Sequence, residues 1–252
     1  MRTVDRLRVE VHLDTAALAC AAADEAAAIL VQAVNERGVA NAMFATGNSQ
    51  LAFVDALIDG TRDVPWGAVA VFHMDEYVGV GPDHPAGFRR WITERIVQRV
   101  HPRDAFLLDG LADPAVEGVR YTSLLRAHPL DLCCLGIGEN GHLAFNDPPA
   151  DFADPLDVKV VELDRACRQQ QVGEGHFERM EAVPTHALTV TVPALLRARS
   201  VIAVVPEARK AQPVRAALLG PVSPSCPASA LRTAVNATLH LDRGSAGALA
   251  WS

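Results

Sequence analysis

The chain has 252 residues, half of them hydrophobic and 21% charged, with a formal net charge of −7. A chain of this length buries roughly 70–75% of its unfolded surface, which excludes a disordered polymer and supports one domain spanning residues 1–252. The acidic balance, with no run of five Lys or Arg, gives no basic footprint, so no nucleic-acid partner is expected.

Residues 1–14, "MRTVDRLRVEVHLD", are charged and alternating, unlike a signal peptide. Within them "LRVEVH" (7–12) has the period-two pattern of a strand. Asp14 or Thr15 caps a long Ala-rich helix that ends before Gly38. That helix is the most apolar stretch, but Asp24 and Glu25 interrupt it, so neither a membrane span nor a membrane partner is expected. "VANAMFATG" (39–47) reads as a buried strand entering a turn, and "SQLAFVDALID" (49–59) as a helix. "WGAVAVFHM" (66–74) is an apolar strand that stops at Asp75 and Glu76. "GFRRWITERIVQRV" (87–100) has helical spacing, and residues 83–98 read as a mobile cover. "SLLRAH" (123–128) ends a further helix, and "LDLCCLGIG" (130–138) is a strand feeding a glycine-rich loop. "DVKVVEL" (157–163), "HALTVTV" (186–192), "SVIAVVP" (200–206) and "ATLHLD" (237–242) supply later strands. "EARKAQPVRAALLG" (207–220) reads as a helix ending at Gly220, its first half distorted by Pro213.

Apolar strands alternating with helices predict an α/β fold: a single-domain, Rossmann-like, mainly parallel sheet with helices on both faces. The five cysteines (Cys20, Cys133, Cys134, Cys167, Cys226) form no repeated CxxC and read as reduced thiols of a cytoplasmic protein.

Ligands of such sheets lie beyond the carboxyl ends of the strands. Four polar clusters follow apolar strands, namely "ATGNSQ" (45–50), "MDEY" (74–77), "GENGH" (138–142) and "PEARK" (206–210), and are expected to converge on one cleft. In the first, Gly47 admits close approach of the backbone to a ligand. Ser49 stands where it caps the next helix, whose N-terminus favours an anion such as phosphate; a plain capped turn explains the same residues. Asp75 and Glu76 offer a carboxylate for removing a proton, and strand geometry sends the two side chains in different directions. A solvated acidic strand end is the plainer reading of that pair.

The third cluster extends through "GENGHLAFNDPP" (138–149) and carries the strongest local signal. His142 is the natural acid–base group near neutral pH. Asn140 and Asp147 are placed to orient it, and Gly136, Gly138 and Gly141 to form a tight turn with exposed backbone N–H groups. Metal binding by His142 with Asp147 is weakly supported, because no second His lies at ligand spacing, so no metal is expected. Arg209 and Lys210 begin a helix where cations oppose its dipole, which hints at an anionic ligand. Arg165 and Arg168 in "DRACRQQQ" (164–171) serve either a phosphate or a solvated helix start.

Together these residues resemble the glucosamine-6-phosphate deaminase/isomerase family, sister to the 6-phosphogluconolactonases. The family's "MDEY" and "GxDGHIAFNEP" are similar to "MDEYVG" and "GENGHLAFNDPP", its "TG" loop to "ATGNSQ", and its "VPxxALTVG…LL" segment to "VPTHALTVTVPALL" (183–196). The likeness covers roughly residues 40–240 in the same order. It implies a deaminase-like enzyme (hydrolase/isomerase) of amino-sugar metabolism that needs no cofactor. His142 would assist ring opening, and Asp75 would move a proton from C2 to C1. Asp147 would support the histidine. Thr46, Gly47, Asn48, Ser49 and Lys210 would hold phosphate, with Arg168 a candidate beside them. Glu76, Gly136, Gly141 and Ala144 are carried over as substrate contacts. A sugar phosphate is the implied partner, and a homo-oligomer is left open.

Three positions depart from the pattern. Asn140 replaces an Asp, Asp147 replaces a Glu one methylene longer, and no Arg falls cleanly in the family's phosphate position. A lactonase-type hydrolase using His142, and a non-catalytic sugar-phosphate sensor, are the alternatives.

Overall fold

The protein is described by a computed structural model covering residues 1–251 apart from 174 and 176, without the side chains of 166, 167 and 170. The thiol expected at Cys167 therefore lies outside the described residues. A hairpin of β1 (Arg2–Val4) and β2 (Leu7–His12) leads into α1 (Thr15–Arg37), β3 (Ala40–Phe44), α2 (Leu51–Leu57), β4 (Val69–His73) and β5 (Asp75–Tyr77). Then come α3 (Phe88–Ile92), a π-helical turn (Thr93–Val97), α4 (Gln98–Val100), β6 (Asp104–Phe106), α5 (Pro114–Ala127), β7 (Leu132–Leu135), β8 (Val158–Glu162) and α6 (Arg165–Gly173). β9 (His186–Val190), α7 (Val192–Leu196), β10 (Ser200–Val205), α8 (Ala211–Leu219) and β11 (Ala237–Asp242) complete the chain.

Among the described residues an eight-stranded sheet runs β1-β2-β11-β10-β7-β3-β4-β6, parallel except for β1 against β2. This is the α/β fold with a mainly parallel sheet read from the sequence. β3 is followed by its neighbour β4 on one side, whereas β7 returns through β10 on the other. The connections thus part between β3 and β7, the place where doubly wound sheets open a crevice.

α1 covers one face. Asp14 caps it by accepting the Ala17 N–H at 2.8 Å, and Gly38 ends it in the left-handed region at φ 77°. Leu18, Ala22, Ala26, Leu30 and Ala33 recur at helical spacing and are buried with Phe44 and Val204 of the sheet. Each such Leu contributes roughly 1.5–3 kcal/mol on leaving water. By length and apolarity this helix passes for a membrane span, but its apolar stripe lies on the sheet.

Several expectations are corrected. Residues 66–68 form a short 3-10 turn, so β4 starts at Val69. α8 runs regularly from Ala211 with Pro213 in its first turn, where N–H groups lack intrahelical acceptors in any case, so the expected distortion is absent. β6 and the start of α5 add to the expected elements; Asp113 caps α5 by accepting from Ala115 and Val116, and Pro114 opens it.

The larger correction concerns β5, β8 and β9, which form a separate antiparallel sheet in the order β5-β9-β8. The chain leaves the large sheet at His73, and after Met74 it pairs with β9. Buried groups secure this hand-over. The Tyr121 hydroxyl donates to the His73 carbonyl at 2.6 Å and accepts the His73 N–H at 3.2 Å, and His73 Nε2 accepts the Leu108 N–H at 2.8 Å. Burial holds His73 neutral, its pKa pushed down to about 3, as an accepting ring nitrogen requires. Removing the hydroxyl strands a buried carbonyl, at a cost of about 1–3 kcal/mol. Tyr121→Phe is expected to lower the unfolding free energy by that amount, read as a lower urea midpoint at an unchanged slope.

Candidate active site

Of the four strand-end clusters, "ATGNSQ" follows β3, "MDEY" follows β4, "GENGH" follows β7 and "PEARK" follows β10. Because β10, β7, β3 and β4 are consecutive in the sheet, their carboxyl ends are neighbours. One pocket there is lined by Thr46, Gly47, Asn48, Ser49, Asp75, Gly136, His142, Ala144 and Lys210, all predicted from the sequence. Phe88, Phe145, Gln171 and Arg209 line it as well.

The β3 loop turns at Gly47, whose φ of 100° lies in the region that favours glycine. Ser49 does not cap the helix. A 3-10 turn (Asn48–Gln50) precedes α2, no side-chain cap bond forms, and the Ser49 hydroxyl accepts from Gln50 Nε2 at 3.2 Å. Gln50 is buried beneath the loop and also donates to the Val204 carbonyl at 3.1 Å. A Cβ at Gly136 would lie 3.1 Å from that amide nitrogen, so glycine lets β7 pass close to the loop.

Asp75 and Glu76 diverge as strand neighbours must. Asp75 faces the pocket; burial, and then the nearby Glu76 carboxylate, push its carboxyl well above the usual range. Glu76 was expected to contact substrate, and the structure places it elsewhere. Its oxygens accept the N–H groups of Tyr77 at 2.9 Å, Phe88 at 3.2 Å and Arg89 at 2.6 Å, which fastens the start of α3. Burial raises this carboxyl to about 7 despite those donors.

The β7 loop holds His142. Gly138 donates to the His142 carbonyl at 3.0 Å, and Gly141 at φ 88° closes the turn by donating to the Gly138 carbonyl at 3.0 Å. A Cβ at Gly138 would sit 2.2 Å from the imidazole, so only glycine leaves room for the ring. Asn140 accepts the His142 N–H at 3.0 Å and donates through Nδ2 to Asp147 Oδ1 at 2.8 Å. That same oxygen lies 3.1 Å from His142 Nδ1, although the ring is not aligned for a hydrogen bond to it. Asn140, Gly141 and Asp147 therefore stand behind the histidine and do not line the pocket. Ala144 adopts φ 51°, a strained value for a residue with a side chain. Asn146 holds the loop in place by donating to the Leu143 and Val190 carbonyls, each at 2.8 Å.

Lys210 is 5% exposed at the pocket wall, carried by a short 3-10 turn after β10. Arg209 beside it pairs with Glu207 at 2.6 Å and with Glu139 at 2.9 Å. Arg168 is not in this pocket. It faces a separate cleft with Glu162, Asp164 and Arg165, where Nη2 donates to the Met180 and Val183 carbonyls at 2.7 and 3.0 Å. Its guanidinium is used to tie α6 to the following segment, which removes it as a phosphate contact. α6 instead presents Gln171, whose Oε1 accepts from the Tyr77 hydroxyl at 2.7 Å. The "QQQ" of residues 169–171 was the available signal for it. Phe88 and Phe145, which pack on each other and on Tyr77, carried none, since an aromatic near a helix start reads equally well as core.

Comparison with known proteins gives the same picture. The chain is 34% identical over 206 residues to a glucosamine-6-phosphate deaminase of Listeria innocua, covering 81% of this chain and 86% of that one. It is 34% identical over 184 residues to the glucosamine-6-phosphate deaminase of Exiguobacterium sibiricum, covering 72% and 71%. Among solved structures it superposes on a monomeric glucosamine-6-phosphate deaminase with a TM-score of 0.87 at 28% identity, over 96% of this chain and 99% of that chain. A 6-phosphogluconolactonase from Shewanella baltica shares the fold, with a TM-score of 0.76 at 17% identity over 96% and 99%. The family model for glucosamine-6-phosphate isomerases/6-phosphogluconolactonase matches residues 13–240, and with the strand-end pocket in place the chain belongs to that family.

Proposed function

We propose that this chain deaminates and isomerises a hexosamine 6-phosphate, converting glucosamine 6-phosphate to fructose 6-phosphate and ammonia as a cytoplasmic enzyme of amino-sugar metabolism. The observation that carries this reading is that Asp75, His142, the Thr46–Gly47–Asn48–Ser49 loop and Lys210 all line one pocket. The names of the relatives support the substrate class.

The phosphate would sit on the backbone of the Gly47 turn and the ammonium of Lys210, a charge-assisted contact made stronger by burial. His142 would pass a proton between the ring oxygen and the C1 hydroxyl, opening the sugar to its aldehyde. Asp75, ionised, would take the C2 proton. The electrons left behind form the C1–C2 double bond of an enolamine while the C1=O π pair moves onto its oxygen, which takes a proton from the substrate's ammonium group, and C1 then takes the proton back from Asp75. The resulting C2 imine adds water and expels ammonia, which leaves the ketone. A buried carboxylate is a stronger base than a solvated one, which suits removal of a proton from carbon. Asn140 and Asp147 would hold the imidazole in register, the amide bridging the backbone N–H of His142 and the carboxylate.

Asp75→Asn removes the base while keeping the shape. Ammonia release from glucosamine 6-phosphate is expected to fall about 10²–10⁴-fold with the fold intact by circular dichroism. Hydrolysis of 6-phosphogluconolactone that survives this substitution would instead favour the lactonase reading. Lys210→Met is expected to weaken substrate binding by about 1.5–3 kcal/mol, read as a roughly ten- to hundredfold rise in KM. Asp75 accepts a proton only when ionised, and its pKa is raised, so activity climbs with pH through that raised value. The acid limb of kcat/KM is expected well above the ordinary aspartate value of about 3.9, and a limb at or below it contradicts the assignment of Asp75 as base.

A further inference from the structure

A second cluster of chemistry-bearing side chains lies away from the pocket, on the face of the sheet that α1 covers. β2 and β11 are parallel neighbours, with Glu10 opposite His240 and His12 opposite Asp242. Residues two apart on a strand share a face, so Arg8, Glu10 and His12 stand beside Thr238, His240 and Asp242. The alternate residues Leu7, Val9, Leu239 and Leu241 fill the core on the other side.

Three of these groups converge. One ligand atom from each of Glu10, His12 and His240 lies within 4.8 Å of the other two. His12 Nε2 is 3.1 Å from His240 Nδ1, and the rings are nearly coplanar at 14° with centroids 5.3 Å apart. Ligand atoms around a tetrahedral Zn²⁺ stand roughly 3.3–3.5 Å apart, given bonds of about 2.0–2.2 Å. A small tilt of the half-exposed His12 ring and a turn of the Glu10 carboxylate therefore reach that spacing.

A further contact orients the buried ring. His240 is 1% exposed, and its Nε2 is 3.0 Å from Glu25 Oε2 on α1, which in turn accepts the Thr238 hydroxyl through Oε1 at 2.8 Å. With its Nε2 proton held by that carboxylate, His240 directs the lone pair of Nδ1 at His12. A carboxylate behind an imidazole is the usual support of a metal-bound histidine, because it fixes the tautomer and raises the basicity of the ligating nitrogen.

We propose that Glu10, His12 and His240 form a site for a borderline divalent cation of the Zn²⁺ type, with Glu25 as the positioning residue behind His240. Two imidazoles and one carboxylate are a donor set that Zn²⁺ and its neighbours prefer over Mg²⁺ or Ca²⁺. On binding, the Nε2 proton of a neutral His12 moves to Nδ1, so the ring remains uncharged. None of the three residues lines the sugar pocket. The ion would clamp β2, and with it the terminal hairpin, to β11 and to α1.

The test titrates ZnCl₂ into the full chain, first stripped with chelator, by isothermal calorimetry, with thermal unfolding in parallel. One Zn²⁺ per chain is expected, with a Tm that rises with free Zn²⁺. His12→Asn, at a partly exposed position, is expected to keep the fold and abolish that binding step. Glu25→Gln is expected to weaken it about 10–100-fold. Binding of equal strength and number in the native chain and His12→Asn would place the ion elsewhere and overturn the proposal. So would the absence of both heat and Tm shift in the native chain at tenfold excess Zn²⁺. Neither readout uses turnover of a sugar phosphate, so the outcome is independent of the proposed deaminase activity.

Discussion

The hand-over of one strand between two sheets governs the rest of this molecule. β4 is a parallel strand paired on both sides, by β3 and β6, yet two residues after its end the chain pairs antiparallel with β9. Backbone groups at such a junction lose their ladder partners inside a protein interior, where each unmet group is costly. The Tyr121 hydroxyl meets that need at the His73 N–H and carbonyl, and the His73 ring in turn accepts the Leu108 amide. Asp75 thereby emerges at a fixed height above the large sheet, buried yet facing a polar cavity. Its raised affinity for protons follows from that position and from the acidic neighbour that the same geometry turns away.

The second sheet also steadies the histidine loop. Asn146 reaches the Val190 carbonyl on β9, and the Phe145 amide donates to Thr189 Oγ1 at 3.1 Å. Asp75 pairs with Thr189 in the same register. Asp75 and the loop that carries His142, from two distant motifs, are thus referenced to one residue of one strand. In that setting Gly138 is a steric requirement and Ala144 a strained position held by its surroundings, a combination expected where geometry serves chemistry.

Much of this was legible in the sequence, and the reason is physical. Long apolar strands separated by helices force a parallel sheet, and parallel sheets put their loops at one end. Hence the clusters after β3, β4, β7 and β10 were located without knowledge of strand order. What escaped notice depends on pairing. β5 and β6 have three residues each, too few for a period to register, and nothing local marks β8 and β9 as antiparallel partners of β5. Glu76 and Arg168 were misplaced for a related reason. Their types suit a ligand, but long-range folding brought backbone donors to one and backbone acceptors to the other. The cap expected of Ser49 failed because a 3-10 turn intervenes before α2. The cluster on β2 and β11 was invisible, since Glu10 and His240 meet only through strand register 230 positions apart.

The grip of Glu76 on the amides of Phe88 and Arg89 constrains how the segment over the pocket can move. Those amides belong to the first turn of α3, inside residues 83–98, the stretch expected from the sequence to be a mobile cover. Swinging that turn outward would leave a carboxylate in the interior deprived of two of its three donors, and would drag on the residue next to Asp75. The start of α3 is therefore bolted to β5, the strand that carries Asp75, and the rest of the segment can shift only about that anchored turn.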